Sequence, residues 1–537
     1  MQIKMVLISS CFWLSFAAHS QAVDPHANAA RLFQTSARCI GCHSSLTGPD
    51  GTDVSIGTLW RASMMANSAR DPYWHAAVRR EITDHPQAQA AIEDKCSTCH
   101  MPMAHVTAAA AGGQSQVFAN IASMQANPAG HPAADGVSCA VCHQIEPDNF
   151  GTEESFTGGF LIDTATPAEQ RVIYGPHEVD AGRQGVMRSA SGFVPESTNH
   201  LAESGLCATC HTLYTHALDE QGREVGELAE QVPYLEWLAS DFRETRSCQD
   251  CHMPVVTEDT PISSVLGQPR PNFSQHVFRG GNAFMLTILN KYRGQLGVVA
   301  LPQEFELTIR RTREFLATET AAIAIDSLRR SGNGLSFAID VRNLAGHKLP
   351  TAYPSRRVWL HVSVTDASGD IVFESGAVRA DGSIVGNSND ADPLDHEPHY
   401  EVIRQADQVQ IYEPILFDSQ GRVTTGLLFG VAYGKDNRLL PAGFDKRSVD
   451  DDIAVAGSAL TDGDFIAGGD RVRYELTIDS DEGLTVSAEL LYQSIGYRWA
   501  ENLAGYSSAE TDRFVGFYRE TIEGSADRLA ADSVTID

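Results

Sequence analysis

Basic residues are scarce in this sequence of 537 residues. Lys and Arg number 40 against 69 Asp and Glu, which gives a formal net charge of −29. A surface this acidic repels phosphate backbones and anionic lipid, and it attracts basic proteins or cationic small molecules. The composition therefore argues against nucleic acid as a partner. Long apolar runs are also missing beyond the N-terminus, so no integral membrane span is predicted.

The N-terminal segment carries one apolar run, from Met5 to Ala18, which follows Lys4. Residues 20–22, Ser-Gln-Ala, have the small-x-small pattern of a signal cleavage site. The run of about 14 residues is shorter than the roughly 20 that a membrane-spanning helix needs. Residues 1–22 are therefore predicted to be a removed secretory signal that sends the protein to the periplasm or the cell exterior. The alternatives are a retained anchor and a lipoprotein site at Cys11.

The sequence leaves no cysteine for disulfide bonds. Of its 11 cysteines, Cys11 lies in the predicted signal and the other ten form five Cys-x-x-Cys-His units. Random placement of the cysteines and the 19 histidines would give about 0.008 such units. The five units are Cys39-x-x-Cys42-His43, Cys96-x-x-Cys99-His100, Cys139-x-x-Cys142-His143, Cys207-x-x-Cys210-His211 and Cys248-x-x-Cys251-His252.

This motif is the attachment signal for haem c. Two thiols one helical turn apart each add to a vinyl group of one porphyrin, and the adjacent histidine binds the iron. Structural zinc would need four ligands per ion, and a redox-active dithiol would need a single motif near a βαβ unit. The sequence therefore predicts five covalently bound haem c groups, with the ten cysteines as attachment points and His43, His100, His143, His211 and His252 as iron ligands.

Two domains are predicted after the signal. Residues 23–300 form a loop-rich, mainly helical domain in which the porphyrins supply much of the apolar core. Residues 301–537 form a β-rich domain, because apolar residues alternate in several segments as they do in half-buried strands. The fold class is thus α+β multidomain, ending in a β-sandwich-like domain. The alternating segments are residues 335–341, 358–364, 472–478 and 484–490.

Two helices are predicted to flank these strands. One begins near Pro302 and bridges the two domains. The other lies near the C-terminus, where Ser507 and Glu510 have the spacing of a capping box.

The sixth ligand of each iron decides whether a haem relays electrons or can bind a substrate. His177 and His276 are favoured because they lie at turns flanked by Gly or Pro, and His200 because it lies in a separate turn before Cys207. Met64 is a candidate on the first haem, with core packing as its alternative. His347, between two predicted strands, is a candidate that reaches back from the β-rich domain, with a plain turn histidine as its alternative. The weaker candidates are His26, His75, His85, His105, His131 and His216.

Three of the cysteine motifs carry a family resemblance. Gly136-Val-Ser-Cys-Ala-Val-Cys-His-Gln144, Leu206-Cys-Ala-Thr-Cys-His-Thr-Leu213 and Cys248-Gln-Asp-Cys-His-Met-Pro254 resemble bacterial multihaem c-type cytochromes. The resemblance covers roughly residues 30 to 290 and is similar to the tetrahaem group of respiratory electron relays, which implies mostly bis-histidine haems. Pentahaem nitrite reductases are similar in haem count, but they typically use a Cys-x-x-Cys-Lys unit, which is absent here. The segment Gly346–Arg357 looks like one in C-terminal extensions of such cytochromes and implies no defined activity.

The favoured function is an exported electron carrier that passes electrons between redox protein partners. The alternative is a haem oxidoreductase that acts on a small nitrogen or sulfur compound at one five-coordinate haem. A structural role, as a homo-oligomer or a haem filament, is also left open. Whether the protein is an enzyme stays undecided from the sequence, with the carrier preferred to the catalyst.

Overall fold

The computed structural model describes residues 32–128, 130–480 and 483–536. The predicted signal at residues 1–22, with Cys11, and the candidate ligand His26 lie outside the described residues. Within the described ranges, none of the helices has the length and apolar character needed to cross a bilayer.

The cysteine-bearing part of the chain is built from short helices joined by loops. The longest that the structure describes before residue 300 is Pro72–Asp84. It is capped by Asp71, whose side chain accepts hydrogen bonds from the N–H groups of Tyr73 and Trp74. The α-helices of this part are Ala37–Ile40, Ile56–Arg61, Met64–Asn67, Pro72–Asp84, Gln89–His100, Pro102–Ala110, Val117–Ala126, Cys139–Cys142, Ala181–Ser191, Ser204–His211, Pro233–Leu238, Cys248–His252, Ala283–Lys291 and Arg293–Leu296.

Short strand pairs support these helices. Val172–Gly175 pairs in parallel with Val194–Ser197, and the other pairs are antiparallel. Those pairs are Leu213–Leu218 with Glu224–Gln231, Val255–Val256 with Phe273–Ser274, and Thr260–Pro261 with Pro269–Arg270.

The strand-rich part contains two facing sheets. One sheet has the strand order Val402–Ile403, Gly469–Thr477, Gly334–Asn343 and Ala321–Ser331. The other has the order Ile371–Ser375, Arg357–Thr365, Leu484–Gln493 and Ala526–Ile536, with Ile411–Tyr412 paired to Arg357–Thr365. A smaller sheet joins Pro414–Asp418 to Val423–Thr424 and Gly430–Asp436.

The two large sheets share one apolar core. Side chains that alternate along Gly334–Asn343 and Gly469–Thr477 lie in the same cluster as those along Arg357–Thr365 and Leu484–Gln493. Burying alternate residues on the inner faces of two sheets is the packing of a β-sandwich. The predicted α+β multidomain class with a β-sandwich is confirmed.

The helices Pro302–Glu319, Ser388–Ala391, Tyr497–Glu501 and Ala509–Thr521 complete the chain. Ser508 and Thr511 form the capping box of the last helix, so the predicted pair Ser507 and Glu510 is wrong by one residue. Glu510 instead accepts a hydrogen bond from Arg79 at 2.9 Å. This helix therefore docks on the cysteine-bearing part.

A second apolar cluster joins the two parts of the chain. It contains Tyr73 and Phe284 from the cysteine-bearing part, Phe305 from the bridging helix, and Phe514 from the C-terminal helix. The rings of Tyr73 and Phe514 meet edge to face at 5.1 Å. The strand-rich part is thus held against the cysteine-bearing part by a continuous core.

Candidate functional site

Each Cys-x-x-Cys-His unit lies on or beside a short helix. The His43 N–H donates to the Cys39 carbonyl at 3.0 Å, and the His143 N–H donates to the Cys139 carbonyl at the same distance. One helical turn therefore separates the two thiols, as attachment to a single porphyrin requires.

Local hydrogen bonds start the helix of the fifth unit. The Ser247 N–H donates to the Asp250 carboxylate at 2.7 Å, and the Asp250 N–H donates to the Ser247 hydroxyl at 3.3 Å. This reciprocal capping box fixes the N-terminus of a helix only five residues long, Cys248–His252.

Four of the five motif histidines have their Nδ1 atom bonded to a backbone carbonyl. With Nδ1–H donating, the Nε2 lone pair is left for a metal, and the ring is held in one orientation. The acceptors are Ile262 for His43 at 2.6 Å, Ser68 for His100 at 3.1 Å, Tyr174 for His143 at 2.7 Å, and Arg279 for His252 at 2.5 Å.

His276 faces the motif histidine His143. Their ring centres are 6.4 Å apart and their planes differ by 10°. The Nδ1 atom of His276 is bonded to the Ser274 carbonyl at 3.1 Å, which again leaves Nε2 for a metal. Burial, followed by the nearby His143, lowers the pKa of His276 to about 4, so the ring stays neutral at physiological pH.

His347 faces His252 in the same way. Their ring centres are 6.2 Å apart with planes 11° from parallel, and the Nδ1 atom of His347 is bonded to the Lys348 carbonyl at 2.9 Å. Burial lowers the pKa of His252 to about 4 and also lowers the pKa of His347. A residue from the strand-rich part therefore lies opposite a motif histidine of the cysteine-bearing part.

Both ring pairs fit an iron between them. Two imidazoles that bind one metal from opposite sides, with metal–nitrogen distances of about 2 Å, have ring centres about 6 Å apart. Their Nδ1 atoms point to carbonyls and their Nε2 atoms are the available ligands. The residues thus suit a bis-histidine haem at the third and fifth units.

The histidine of the second unit has an aromatic neighbour that no sequence pattern predicts. The Trp74 ring stacks on His100 with centres 4.4 Å apart and planes 2° from parallel. Burial lowers the pKa of His100 to about 4. Trp74 therefore fixes the plane of this imidazole and shields one of its faces from water.

Cysteines of different units are close enough to shift one another's pKa. Cys139 raises the pKa of the Cys39 thiol, Cys210 raises the pKa of the Cys99 thiol, and Cys248 raises the pKa of the Cys207 thiol. These contacts connect the first unit to the third, the second to the fourth, and the fourth to the fifth.

An apolar cluster supplies the remaining link. Ala140 and Val141 of the third unit belong to the cluster that packs against Leu206 and Cys210 at the fourth. All five units therefore form one connected group, in which the fourth unit contacts three others.

His200, a predicted distal ligand, is held by hydrogen bonds at a turn. It is 5% exposed, and its Nδ1 and Nε2 atoms bond to the Thr198 hydroxyl at 2.8 Å and the Ile145 carbonyl at 2.9 Å. Both ring nitrogens are therefore engaged in fixing a turn in this structure, and the ligation of His200 stays a prediction.

His177 and Met64 are two further predicted distal ligands. His177 is partly buried, and burial followed by the positive charge of Arg270 lowers its pKa. Within the described ranges it forms no ring pair like that of His276. Met64 packs against the cluster around Tyr73 and Phe284, which matches its core-packing alternative. The ligation of these two residues stays a prediction.

A separate buried cluster in the strand-rich part contains His399, Asp462 and Asp470, whose ligand atoms lie within 4.8 Å of one another. The His399 Nδ1 atom accepts hydrogen bonds from the amides of Gln410 at 2.8 Å and Asn437 at 3.1 Å. The ring proton must then reside on Nε2, which donates to Asp462 at 2.9 Å. This tautomer is wrong for a metal at Nε2, so the cluster is a satisfied hydrogen-bond network.

The carbonyls that orient the motif histidines could not be identified from the sequence. Any residue offers a backbone carbonyl, so the acceptors Ser68, Tyr174, Ile262 and Arg279 share no side-chain signature.

Comparison with known proteins gives one informative likeness. A search of solved structures returns the crystal structure of a penta-heme cytochrome c552 from Thermochromatium tepidum, with a TM-score of 0.51 and 17% sequence identity. The match covers 94% of this chain and 99% of that one. No protein-family model and no curated protein matches. The likeness is to a five-haem protein and gives no particular support for the tetrahaem group. The chain therefore shares its overall fold with a penta-heme cytochrome c.

Proposed function

We propose that this protein is an exported pentahaem c-type cytochrome that transfers electrons between extracytoplasmic redox partners. The observation that carries the proposal is the contact network of the five Cys-x-x-Cys-His units. Because each porphyrin would be tied to its unit through two thioethers, units whose cysteines are neighbours would hold their porphyrins close to one another. Five such haems would form a continuous path for electrons.

The path has a branched order. The first unit meets the third through Cys39 and Cys139, and the third meets the fourth through the cluster around Val141. The fourth then meets the second and the fifth. Electrons that enter at the first haem would thus reach the fourth before they divide between the second and the fifth.

The ligand sets support relay chemistry at two positions. His143 with His276, and His252 with His347, would fill both axial positions of the third and fifth haems and leave no site for a substrate. The net charge of −29 suits docking to a basic redox partner. Export is supported by the signal-like residues 1–22 and by the attachment motif itself.

A second candidate function rests on the fourth unit. In the described part of the chain, no second imidazole faces His211 as His276 faces His143 and His347 faces His252. Burial lowers the pKa of His211, and the positive charge of Arg356 near this ring lowers it further. An arginine beside a haem with an open position would favour the binding of a small anion such as nitrite. This arrangement supports the oxidoreductase alternative.

One experiment separates the two functions. The haem content of the purified protein is measured by pyridine haemochrome, and its oxidised form is examined by low-temperature electron paramagnetic resonance. Nitrite and hydroxylamine are then added in turn. A relay shows five haems whose spectra do not respond, whereas a catalytic haem shows a high-spin signal that shifts with the ligand.

A further inference from the structure

The loop that carries His347 is attached to the cysteine-bearing part by one buried carboxylate. Glu236 lies in the helix Pro233–Leu238 and is fully buried. Its Oε2 atom accepts the Lys348 N–H at 3.1 Å and the Thr351 hydroxyl at 2.5 Å. The residue next to His347 and a residue four positions beyond it are therefore held by the same oxygen.

The other carboxylate oxygen of Glu236 is held by the strand-rich part. Its Oε1 atom accepts a hydrogen bond from Arg438 at 2.9 Å. Arg438 in turn donates to Asp436 at 2.8 and 2.7 Å, and the Lys348 ammonium donates to Asp436 at 2.7 Å. The carboxylate of Glu236 is thus fixed at both oxygens.

The four charges of this network cancel. Lys348, Asp436 and Glu236 are at most 1% exposed, and Arg438 is 4% exposed. Two cations and two anions buried together leave no net charge, and each holds the others in place. Such a network fixes a geometry strongly because moving one member leaves its partners unpaired in a nonpolar interior.

Two further contacts shape the loop. The Asn343 amide donates to the His347 carbonyl at 2.8 Å and to the Leu439 carbonyl at 3.0 Å. A side chain added at Gly346 would lie 3.2 Å from Phe242, so the backbone passes close to the cysteine-bearing part here. The loop is therefore tied on both sides of His347.

We propose that Glu236 is a positioning residue for the sixth ligand of the fifth haem. By holding Lys348 and Thr351, it keeps the imidazole of His347 opposite His252. The strand-rich part is then a component of the electron path, because the coordination of one haem depends on how it is docked. This inference rests on the proposed function, since it requires a haem at Cys248 and Cys251.

The test compares four variants of the full-length haem-loaded protein by low-temperature electron paramagnetic resonance. H347A should convert one haem of the five from low spin to high spin, and added imidazole should reverse the change. E236Q and T351V should give a fraction of that same high-spin signal, because they loosen the loop and leave the ligand in place. H347A combined with E236Q should show no more high-spin haem than H347A alone.

The matched control is D390N. Asp390 forms a similarly buried ion pair with Arg357 at 2.8 Å, and its other carboxylate oxygen accepts the Ile384 N–H at 2.7 Å, so its described hydrogen bonds go to residues outside the loop. This variant should lower the unfolding temperature and leave the spin state of every haem as it is in the wild type. T351V removes a single hydrogen bond, so it carries the test if E236Q does not accumulate.

The possible failures are distinguishable. If wild-type protein holds fewer than five haems, the proposed function fails at the haem count. If H347A keeps the wild-type spectrum, His347 is not a ligand and the inference is overturned with the haem count intact. If H347A becomes high spin and both E236Q and T351V keep the wild-type spectrum, Glu236 serves stability alone and the inference is likewise overturned.

Discussion

His143 and His276 face each other with ring centres 6.4 Å apart and planes 10° from parallel, although 133 positions separate them in the sequence (276 − 143). His276 follows the strand Phe273–Ser274, which pairs with Val255–Val256 just beyond the fifth unit. The segment after the last cysteine thus returns to place His276 opposite the histidine of the third unit.

Replacing His276 by alanine should leave the third haem with one axial ligand. We expect one more high-spin haem than in the wild type and unchanged haem content, because the thioethers still hold the porphyrin. Electron paramagnetic resonance measures the spin state, and added imidazole should restore the low-spin form. His200→Ala is the matched control: it should reduce stability and add no high-spin signal to that of the wild type. An added high-spin haem in the control would show that His200 is a ligand.

Glu230 should make stability depend on pH. It is 4% exposed, and burial raises its pKa from 4.5 to about 7. The folded protein therefore keeps a proton that the unfolded chain releases above pH 4.5, so the free energy of unfolding falls as pH rises from 4.5 to about 7 and is flat beyond. Glu230→Gln should remove this slope and stabilise the protein by up to about 3 kcal/mol at pH 8.

Chemical denaturation at several pH values measures this effect. The variant keeps an oxygen that accepts the Thr215 hydroxyl bond, so packing should change little. Glu244→Gln, at an exposed position, should leave the pH profile as it is in the wild type. A Glu230→Gln variant that is less stable than wild type at pH 8 would show that the carboxylate is ionised and paired.

Asp436→Asn should destabilise the protein strongly. The substitution removes the anion that Lys348 and Arg438 share, and it leaves two buried cations facing Glu236 alone. Breaking a buried ion pair from one side costs about 3–5 kcal/mol, which denaturant unfolding can measure. Asp326→Asn should change stability little, because its pair with Arg471 is exposed to solvent. Equal losses in the two variants would contradict the account.

Metal analysis should find iron alone. The two amides that donate to His399 are themselves fixed, because Gln410 accepts the Tyr400 N–H at 2.8 Å and Asn437 accepts the Glu413 N–H at 3.0 Å. Neither amide can therefore flip to accept a proton from Nδ1, which would leave the Nε2 lone pair of His399 available for a metal. Mass spectrometry of metals in dialysed protein should therefore show five irons per chain. One equivalent of zinc or manganese that disappears in Asp462→Asn would refute this reading.

The β-sandwich was predictable because its central strands carry a strong pattern. Leu335, Phe337, Ile339 and Val341 alternate with polar residues, and the structure buries all four. The last strand, Ala526–Ile536, was missed because small and polar residues fill most of it. This strand is positioned by pairing with Leu484–Gln493, where side-chain hydrogen bonds join Ser533 to Ser487 at 2.9 Å and Thr535 to Thr485 at 3.0 Å.

Some residues of the candidate site could be predicted from the sequence and others could not. The attachment motifs can be predicted because covalent attachment requires both the residue types and their spacing. The distal histidines cannot be predicted in this way, because an imidazole at a turn can either bind a metal or form hydrogen bonds. Ile145 and Thr198 form hydrogen bonds with both ring nitrogens of His200, whereas only the Nδ1 atom of His276 has a described partner. This difference depends on the fold and cannot be seen in the sequence. The Glu236 network was not foreseen because its members are far apart in sequence and ordinary in type.

The most direct test of the central claim combines haem quantification with low-temperature electron paramagnetic resonance on purified, oxidised protein. The account predicts five covalently attached haems per chain, with low-spin bis-histidine signals from the third and fifth that do not respond to nitrite or hydroxylamine. It also predicts that His276→Ala and His347→Ala each remove one such signal. Fewer than five haems, or unchanged spectra in both variants, would contradict the account.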